Sequence, residues 1–398
     1  MEIYSPILFI EINDSEYIFS VGDVIDKGDF KLIYKNIVPL QGIANHKITN
    51  FDLAFNTIKK NIYTIEHQLN FTFKETILII NNFERSFVNL SGFKKLNGSQ
   101  ILKENITYIL NSLKSYVDEN EDNKTILHIF NSKYSLDKKK IENLPIGLFG
   151  DFYSHELSFC LINNNDYKNL NNIFNNCHLK IKKILLKSFI EGSLISNKNE
   201  NLDTFYQIII NENNSQLIYF ENNSLKFEQS FDFGSNLVVK DISRVTSIKI
   251  AIVKKILNNH KLDKETPDNV LVEKEFFDSE NYVKVKKKLI FDIAHARIQE
   301  LAKLIVNKNI NLLSHNAKDR VIFLKISDKL HFKCFEDTYY YCFSNNRNFK
   351  VKCIDCVTTD DIIKSANELV DFGWKKEAIP VTHTKKSILA KFFDILFS

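Results

Sequence analysis

Between residues 7 and 40 the apolar positions fall in three runs, Ile7 to Ile12, Tyr17 to Val21 and Phe30 to Val38, separated by polar turns. Runs this short, rich in β-branched and aromatic residues, predict consecutive strands. From Asn50 to Leu69 the period changes: Leu53, Ala54, Ile58, Ile62 and Ile65 recur at helical spacing, and the unbroken run Thr76 to Ile80 then predicts a buried strand. A second small unit starts near Gly98, with a helix over Glu104 to Tyr116, a strand over Thr125 to Phe130, a Pro-Gly turn at Pro145 to Gly150 and a strand over Tyr153 to Ile162. It has the character of an insertion. Residues 166 to 183 read as helical, and Ile184 to Ile195 leads to an Asn- and Lys-rich break at 197 to 203.

After that break the pattern restarts. Strands are predicted over Thr204 to Asn211, Gln216 to Phe220 and Leu225 to Phe231, followed by a helix over Val245 to Leu257. Asn269 to Val285 is irregular with strand character, Leu289 to Val306 is a long amphipathic helix, and the last strands run from Val321 through Val357. Two related α/β lobes with an insertion follow from this order. From Asp371 the periodicity is lost through Trp374 and Pro380 until a final segment. There Ile388, Leu389, Phe392, Phe393, Ile395, Leu396 and Phe397 share one broad arc of a helix, with Lys391 opposite and Lys385 and Lys386 at its start. Such a helix can lie at a membrane interface and attract anionic lipid, but it is too short to span. A helix docked on the chain's own core, or in a partner's groove, has the same pattern.

The chain has 398 residues, 44% hydrophobic and 26% charged, which suits several packed subdomains and excludes both disorder and a membrane bundle. A net charge of +4 with both signs interspersed gives no case for nucleic acid. Glu2, Glu11, Asp14 and Glu16 surround the first apolar run, the opposite of a basic signal peptide, so a cytoplasmic chain is expected. Six cysteines without regular spacing are expected as reduced thiols. Cys353-x-x-Cys356 with Cys342, Cys334 and His331 could furnish zinc ligands, but alternation around Phe332, Phe335 and Val351 favours small hydrophobes on buried strands, and no metal is expected. There is no nucleophile elbow, Walker loop or helical histidine pair, and no catalytic residue is assigned. His128, inside an apolar strand, reads as a packed histidine.

Several stretches carry a family likeness. Ile126-Leu127-His128, Tyr134-Ser135-Leu136-Asp137 and Leu144-Pro145-Ile146-Gly147-Leu148-Phe149-Gly150 are similar to the motif run in the insertion subdomain of the FtsA family of bacterial cell-division proteins. Gly92, the entry from Gly98 to Ile106, Asn169-Leu170, Cys177 and Ala296-Arg297-Ile298-Gln299-Glu300-Leu301 add to the resemblance, as does the terminal segment. It implies an actin-like duplicated two-lobe α/β fold with an inserted subdomain and a C-terminal amphipathic helix. The implied division is a first-lobe core over 1–98 and 164–200, an insertion over 99–163 and a second-lobe core over 201–243 and 291–372. A small subdomain over 244–290, a linker over 373–385 and a membrane-targeting helix over 386–398 complete it. The implied role is a scaffold at the cytoplasmic face of the inner membrane, at the septum. It would tether the FtsZ ring to anionic lipid, self-associate and meet other division proteins. A nucleotide-switched actin-like ATPase and an actin-like pilus-assembly scaffold are the alternatives.

Actin-like ATPases hold phosphates in two hairpin loops whose glycines let backbone N–H groups approach the anion. The stretch that resembles the first loop reads Ile10-Glu11-Ile12-Asn13-Asp14-Ser15-Glu16, with Glu11 for the family's aspartate and Asn13 for a glycine. The second reads Ile209-Ile210-Asn211-Glu212-Asn213-Asn214-Ser215-Gln216, and the adenosine-side segment Leu324-Lys325-Ile326-Ser327-Asp328 has no glycine. Phe233-Gly234-Ser235, Asp241 and Lys254 remain where the family contacts nucleotide. Asparagine tolerates positive φ, so a turn at Asn211, Asn213 and Asn214 stays open. The resemblance therefore implies Glu11, Asn13, Asn211, Asn213, Gly234, Asp241 and Lys254 as a degenerate site for ATP with Mg, with hydrolysis not expected. A mixed basic and apolar surface at Val283, Lys284, Val285, Lys286, Lys287 and Lys288 is a candidate to capture an acidic FtsZ tail, or else a solvated lysine run.

Overall fold

The computed structural model describes residues 6–25, 29–81, 83–199, 202–260, 262–278, 280–314, 320–345, 349–374 and 377–380. The chain forms two compact units: 1–203 with 220–227 and 357–398, and 204–219 with 228–356.

The first unit opens with a meander: β1 (Ile7–Ile12), β2 (Glu16–Ile25) and β3 (Asp29–Pro39) pair antiparallel. A two-stranded ladder, β4 (Ile43–Ala44) and β5 (Lys47–Ile48), leads to α1 (Phe51–Leu69). Asn50 caps α1 by accepting from the Leu53 amide at 3.0 Å, and Asn70 ends it in the left-handed region. Ala54, Ile58, Ile62 and Ile65 are buried, each large side chain contributing about 1.5–3 kcal/mol, whereas Leu53 points outward. β6 (Glu75–Ile80) then adds parallel to β1.

The inserted sheet begins earlier than the expected boundary at 99. β7 (Arg85–Lys95) pairs along its whole length with β10 (Phe152–Asn163), a strand the sequence analysis did not assign. α2 (Lys103–Asn120) packs on this sheet, and β8 (Lys124–Leu136) and β9 (Lys139–Ile141) complete its strands before β10. Asp137 turns the chain by accepting from the Asp151 and Phe152 amides at 2.9 and 2.8 Å. Gly147, with φ +87°, lets the chain bond back to Ile101 in both directions, its own amide donating to Ile101 O and the Ile101 amide to Leu148 O. α3 (Asn164–Asn176) returns to β11 (Lys180–Leu186), parallel to β6, and α4 (Lys187–Lys198) follows. The helix expected over 166 to 183 thus ends at Asn176 and its last four residues begin β11: Lys180, Lys182 and Lys183 broke the apolar run that would have marked the strand.

The second unit repeats the plan with β12 (Phe205–Ile210), β13 (Ser215–Glu221) and β14 (Ser224–Phe231). Helices α5 (Asn236–Thr246) and α6 (Ile250–Asn259) replace the single helix expected over 245 to 257, split at Ser247 with φ +57°. α7 (Lys287–Ala302), the short α8 (Ile310–Ser314) and β15 (Arg320–Ile326) follow. α9 (Lys329–Ser344) stands where strands were expected, capped by Asp328, and places Cys334 and Cys342 on a helix rather than a sheet. β16 (Phe349–Cys353) closes the sheet parallel to β15. The two five-stranded sheets have matching orders, β3-β2-β1-β6-β11 and β14-β13-β12-β15-β16, which is a duplicated topology.

After β16 the chain rejoins the first unit. α10 (Thr359–Asp371), expected with the second lobe, is tied to β3 by Lys35 Nζ on Thr359 Oγ1 at 2.7 Å and by the Leu32 amide on Asp360 at 3.1 Å. The stretch expected as a linker from 373 instead contains buried Trp374 and β17 (Glu377–Pro380), which pairs with β8 at the edge of the inserted sheet. The membrane-helix residues Lys385, Lys386, Ile388, Leu389, Lys391, Phe392, Phe393, Ile395, Leu396 and Phe397 lie outside the described residues. Among the described residues no helix is long and apolar enough to cross a membrane.

Candidate functional site

In the first unit, β1, β6 and β11 end at the same edge, Ile12 and Leu186 both level with Ile80. The carboxyl edge of parallel strands is where open α/β sheets bind ligands. Two sequence-expected residues meet here. Glu11 is buried, and Lys187, the first residue of α4, places Nζ 2.6 Å from Glu11 Oε1 and 3.3 Å from Asn13 Oδ1. Asn13 closes the β1–β2 turn, its amide donating to Glu16 O at 3.0 Å. Lys187 was not legible in sequence, because nothing in its spacing ties it to a loop 174 residues away.

The second unit assembles four more of the expected residues. The turn after β12 is closed twice by Asn211, its amide donating to Asn214 O at 2.9 Å and its side-chain Nδ2 to Asn214 Oδ1 at 2.6 Å. Asn213 Oδ1 accepts from Asn236 Nδ2 at 3.2 Å, and Lys254 donates to Glu212 at 2.9 Å. That last pair is half-exposed and worth about 0–1 kcal/mol. The amides of Ser235 and Asn236, at the start of α5, donate to Asn211 O and Glu212 O, both at 2.9 Å. A helix start is a ready anion site because its amides lack partners; here these two are committed to the neighbouring loop. Ser327 likewise donates its amide to Ile210 O, and Ser235 Oγ donates to Asp328 Oδ2 at 2.5 Å. Asp241 is not part of this cluster: Arg297 on α7 binds it through Nε and also holds Glu300 at 2.7 Å.

Gly234 explains why one glycine stands here. A Cβ at this position would lie 2.2 Å from Asn211 O and 2.7 Å from Glu212 O, so the loop and α5 approach through the missing side chain. Gly234→Ala is expected to destabilise the second unit by about 1–3 kcal/mol. A urea midpoint indistinguishable from that of the unaltered chain would sink this account of the close approach.

His331 sits behind the same loop on α9. It is fully buried, Nδ1 3.4 Å from Tyr339 Oη, and Nε2 has no hydrogen-bond partner. Burial pushes its pKa down to about 4, against the opposing pull of Asp328 and Glu212 and with Lys254 adding to the fall. Cys334 donates to Leu257 O at 2.7 Å, and burial raises Cys334, Cys342 and Cys353 to about 11, so these thiols stay protonated.

A third cluster was missed entirely. Glu377 at the head of β17 is wholly buried between Lys183 Nζ at 2.7 Å and His128 Nδ1 at 2.9 Å. Burial alone would raise the carboxyl, but Lys183 and the hydrogen bond from His128 reverse this and hold it at about 2. Burial lowers the pKa of His128, and its ring packs on Phe130 and Phe189.

No known family model matches the chain. By sequence it is similar to cell division protein FtsA of Buchnera aphidicola subsp. Schizaphis graminum (strain Sg), 23% identical over 303 residues, covering 75% of this chain and 72% of the relative. FtsA of Buchnera aphidicola subsp. Acyrthosiphon pisum (strain APS) is 22% identical over 305 residues, covering 76% and 72%. Among solved structures, the PilM-PilN type IV pilus biogenesis complex superposes with a TM-score of 0.52 over 92% of this chain and 95% of that one, at 8% identity. The chain resembles FtsA in sequence and has the actin-like fold.

In this FtsA-like chain two of the motif-bearing insertion residues are packed inside, whereas Leu148 and Phe149 are exposed. His128 serves the Glu377 cluster, and Tyr134 is buried with Tyr153 in the core between α2 and the inserted sheet. Arg297, from the family-like stretch of α7, is the partner that removes Asp241 from the loop.

Proposed function

We propose that this FtsA-like chain is a cell-division scaffold without enzymatic turnover. It self-associates, captures FtsZ and holds it at the cytoplasmic face of the inner membrane at the septum, with residues 386–398 as the lipid contact. The observation that carries this reading is likeness to curated FtsA proteins over three quarters of the chain. ATP with Mg is not turned over, because glycines are missing from both loops and the Ser235 and Asn236 amides already serve neighbouring carbonyls. FtsZ capture at the second unit rests on fewer cations than the lysine run suggests. Lys287 is buried against Glu273 at 2.5 Å, and Val285 faces inward, which leaves Lys284 and Lys286 exposed.

Sedimentation with anionic liposomes tests the reading. The full chain is expected to pellet and to carry FtsZ down, and a chain ending at Lys385 is expected to stay in the supernatant. Equal pelleting of both would overturn the lipid role of the tail, and pelleting without FtsZ would overturn the tether. The actin-like pilus scaffold is favoured by the PilM-PilN superposition. It predicts lipid-independent behaviour of both chains and no FtsZ in either pellet.

A further inference from the structure

Lys187 occupies an unfavourable place for a cation. As the first residue of α4 it faces the positive end of the helix dipole, where anions are stabilised and ammonium groups are not. It also stands at the carboxyl edge of β1, β6 and β11, the edge at which an α/β sheet of this topology takes its ligand. Burial further opposes its charge. Yet its pKa is raised, because Glu11 and Asp14 face it from β1 and the β1–β2 turn and Glu191 faces it from α4 itself. Glu11 and Glu191 are both almost fully buried and Asp14 is exposed; Glu11 contacts the ammonium at 2.6 Å, and the other two act on it through their charge. In a nucleotide-binding unit a divalent cation would balance the acidic group of this loop.

We propose that the Lys187 ammonium has replaced that balance: an internal cation neutralises Glu11, Asp14 and Glu191 and pins Asn13. The first loop is thereby held closed with neither nucleotide nor divalent cation. This deepens the reading of a scaffold without turnover and rests on it. The consequence is a unit locked in one loop state, unable to be switched by the ATP-to-ADP ratio.

The test uses the full chain, with thermal melting followed in the presence and absence of millimolar Mg-ATP and Mg-ADP. The unaltered protein is expected to show the same melting temperature in all three conditions. Lys187→Met is expected to melt about 5 °C lower, whereas Lys187→Arg keeps most of the stability. A role of the aliphatic stem alone would be kept by Met, which lacks only the charge that Arg retains. Should Lys187→Met fail to fold, the double variant Glu11→Gln/Lys187→Met removes both charges and is expected to fold. A rise of several degrees with Mg-ATP that Lys187→Met abolishes would make this lysine a phosphate ligand and overturn the proposal. So would a Lys187→Met protein as stable as the original. Failure of the division reading would show instead in the FtsZ and liposome sedimentation, which these measurements do not enter.

Discussion

Glu377→Ala is expected to lower the stability of the first unit by about 3–5 kcal/mol, the cost of leaving one member of a buried ion pair alone. The carboxylate is fully buried and bonds Lys183 Nζ, itself almost fully buried, at 2.7 Å, so truncation leaves a buried ammonium without this counter-ion. It also removes the acceptor for His128 Nδ1, whose other nitrogen already lacks a partner. Breaking the pair is costly, but replacing it need not be. Glu377→Gln/Lys183→Met keeps an acceptor for His128 and removes the unpaired charge, and is expected to recover most of the loss. Trp374, buried three residues upstream with Nε1 donating to Asn223 O at 2.8 Å, supplies the fluorescence signal for urea unfolding. If Glu377→Ala unfolds at the original urea concentration, the cluster is not what docks β17. The pH sense follows from the carboxyl being held at about 2, below its ordinary 4.5. Its contribution is complete above about 4.5 and is lost as pH falls toward 2.

The root of the C-terminal segment is therefore part of the fold, which changes how the expected lipid helix is carried. A chain tethered through a loose linker would pass no load to the sheets, whereas a strand locked to β8 by buried charges and followed directly by residues 381–398 would. This was hidden in sequence because Trp374 to Pro380 has neither helical period nor a long apolar run; only Ala378 and Ile379 hint at a strand. The same limit explains the other errors. β1, β6 and α1 were legible because their cores are unbroken Ile and Leu patterns. β11 was not, since Lys183 enters a buried strand solely to meet Glu377, a partner 194 residues on. α9 was read as strand because Tyr339, Tyr340, Tyr341 and Phe343 carry high β propensity, and tertiary packing overrode it; Asp328 was the cap signal that marked the helix. At the loops, Asn211, Asn213, Gly234 and Lys254 were singled out by a family likeness, and the structure brings them together around the turn after β12. Asp241 fell away because its partner Arg297 is distant in sequence.

Acid should weaken the second unit through His331. Its folded pKa of about 4 lies below the ordinary 6.5, so the sign is fixed: the unfolded chain takes up a proton that the folded unit refuses. Above about pH 6.5 both states are neutral and nothing is lost. Between about 6.5 and 4 stability falls by about 1.4 kcal/mol per pH unit, or about 3 kcal/mol in all. The cause is local. The ring lies among Phe335 and Tyr339, at 5.5 and 6.1 Å, and the nearby carboxylates Asp328 and Glu212 do not offset its burial. His331→Phe keeps an aromatic volume in that place and removes this titration, so its second unit should lose less stability between about pH 6.5 and 4.5 than that of the unaltered chain, while His295 on α7, whose pKa burial also lowers, still titrates. Hydrogen exchange of peptides from α9 separates this loss from that at His128, whose lowered pKa acts in the same sense but in the first unit. If α9 in the unaltered chain is as protected at pH 4.5 as at pH 7, the imidazole accepts its proton without opening the unit, and Glu212 or Asp328 must then turn toward Nε2 to receive it.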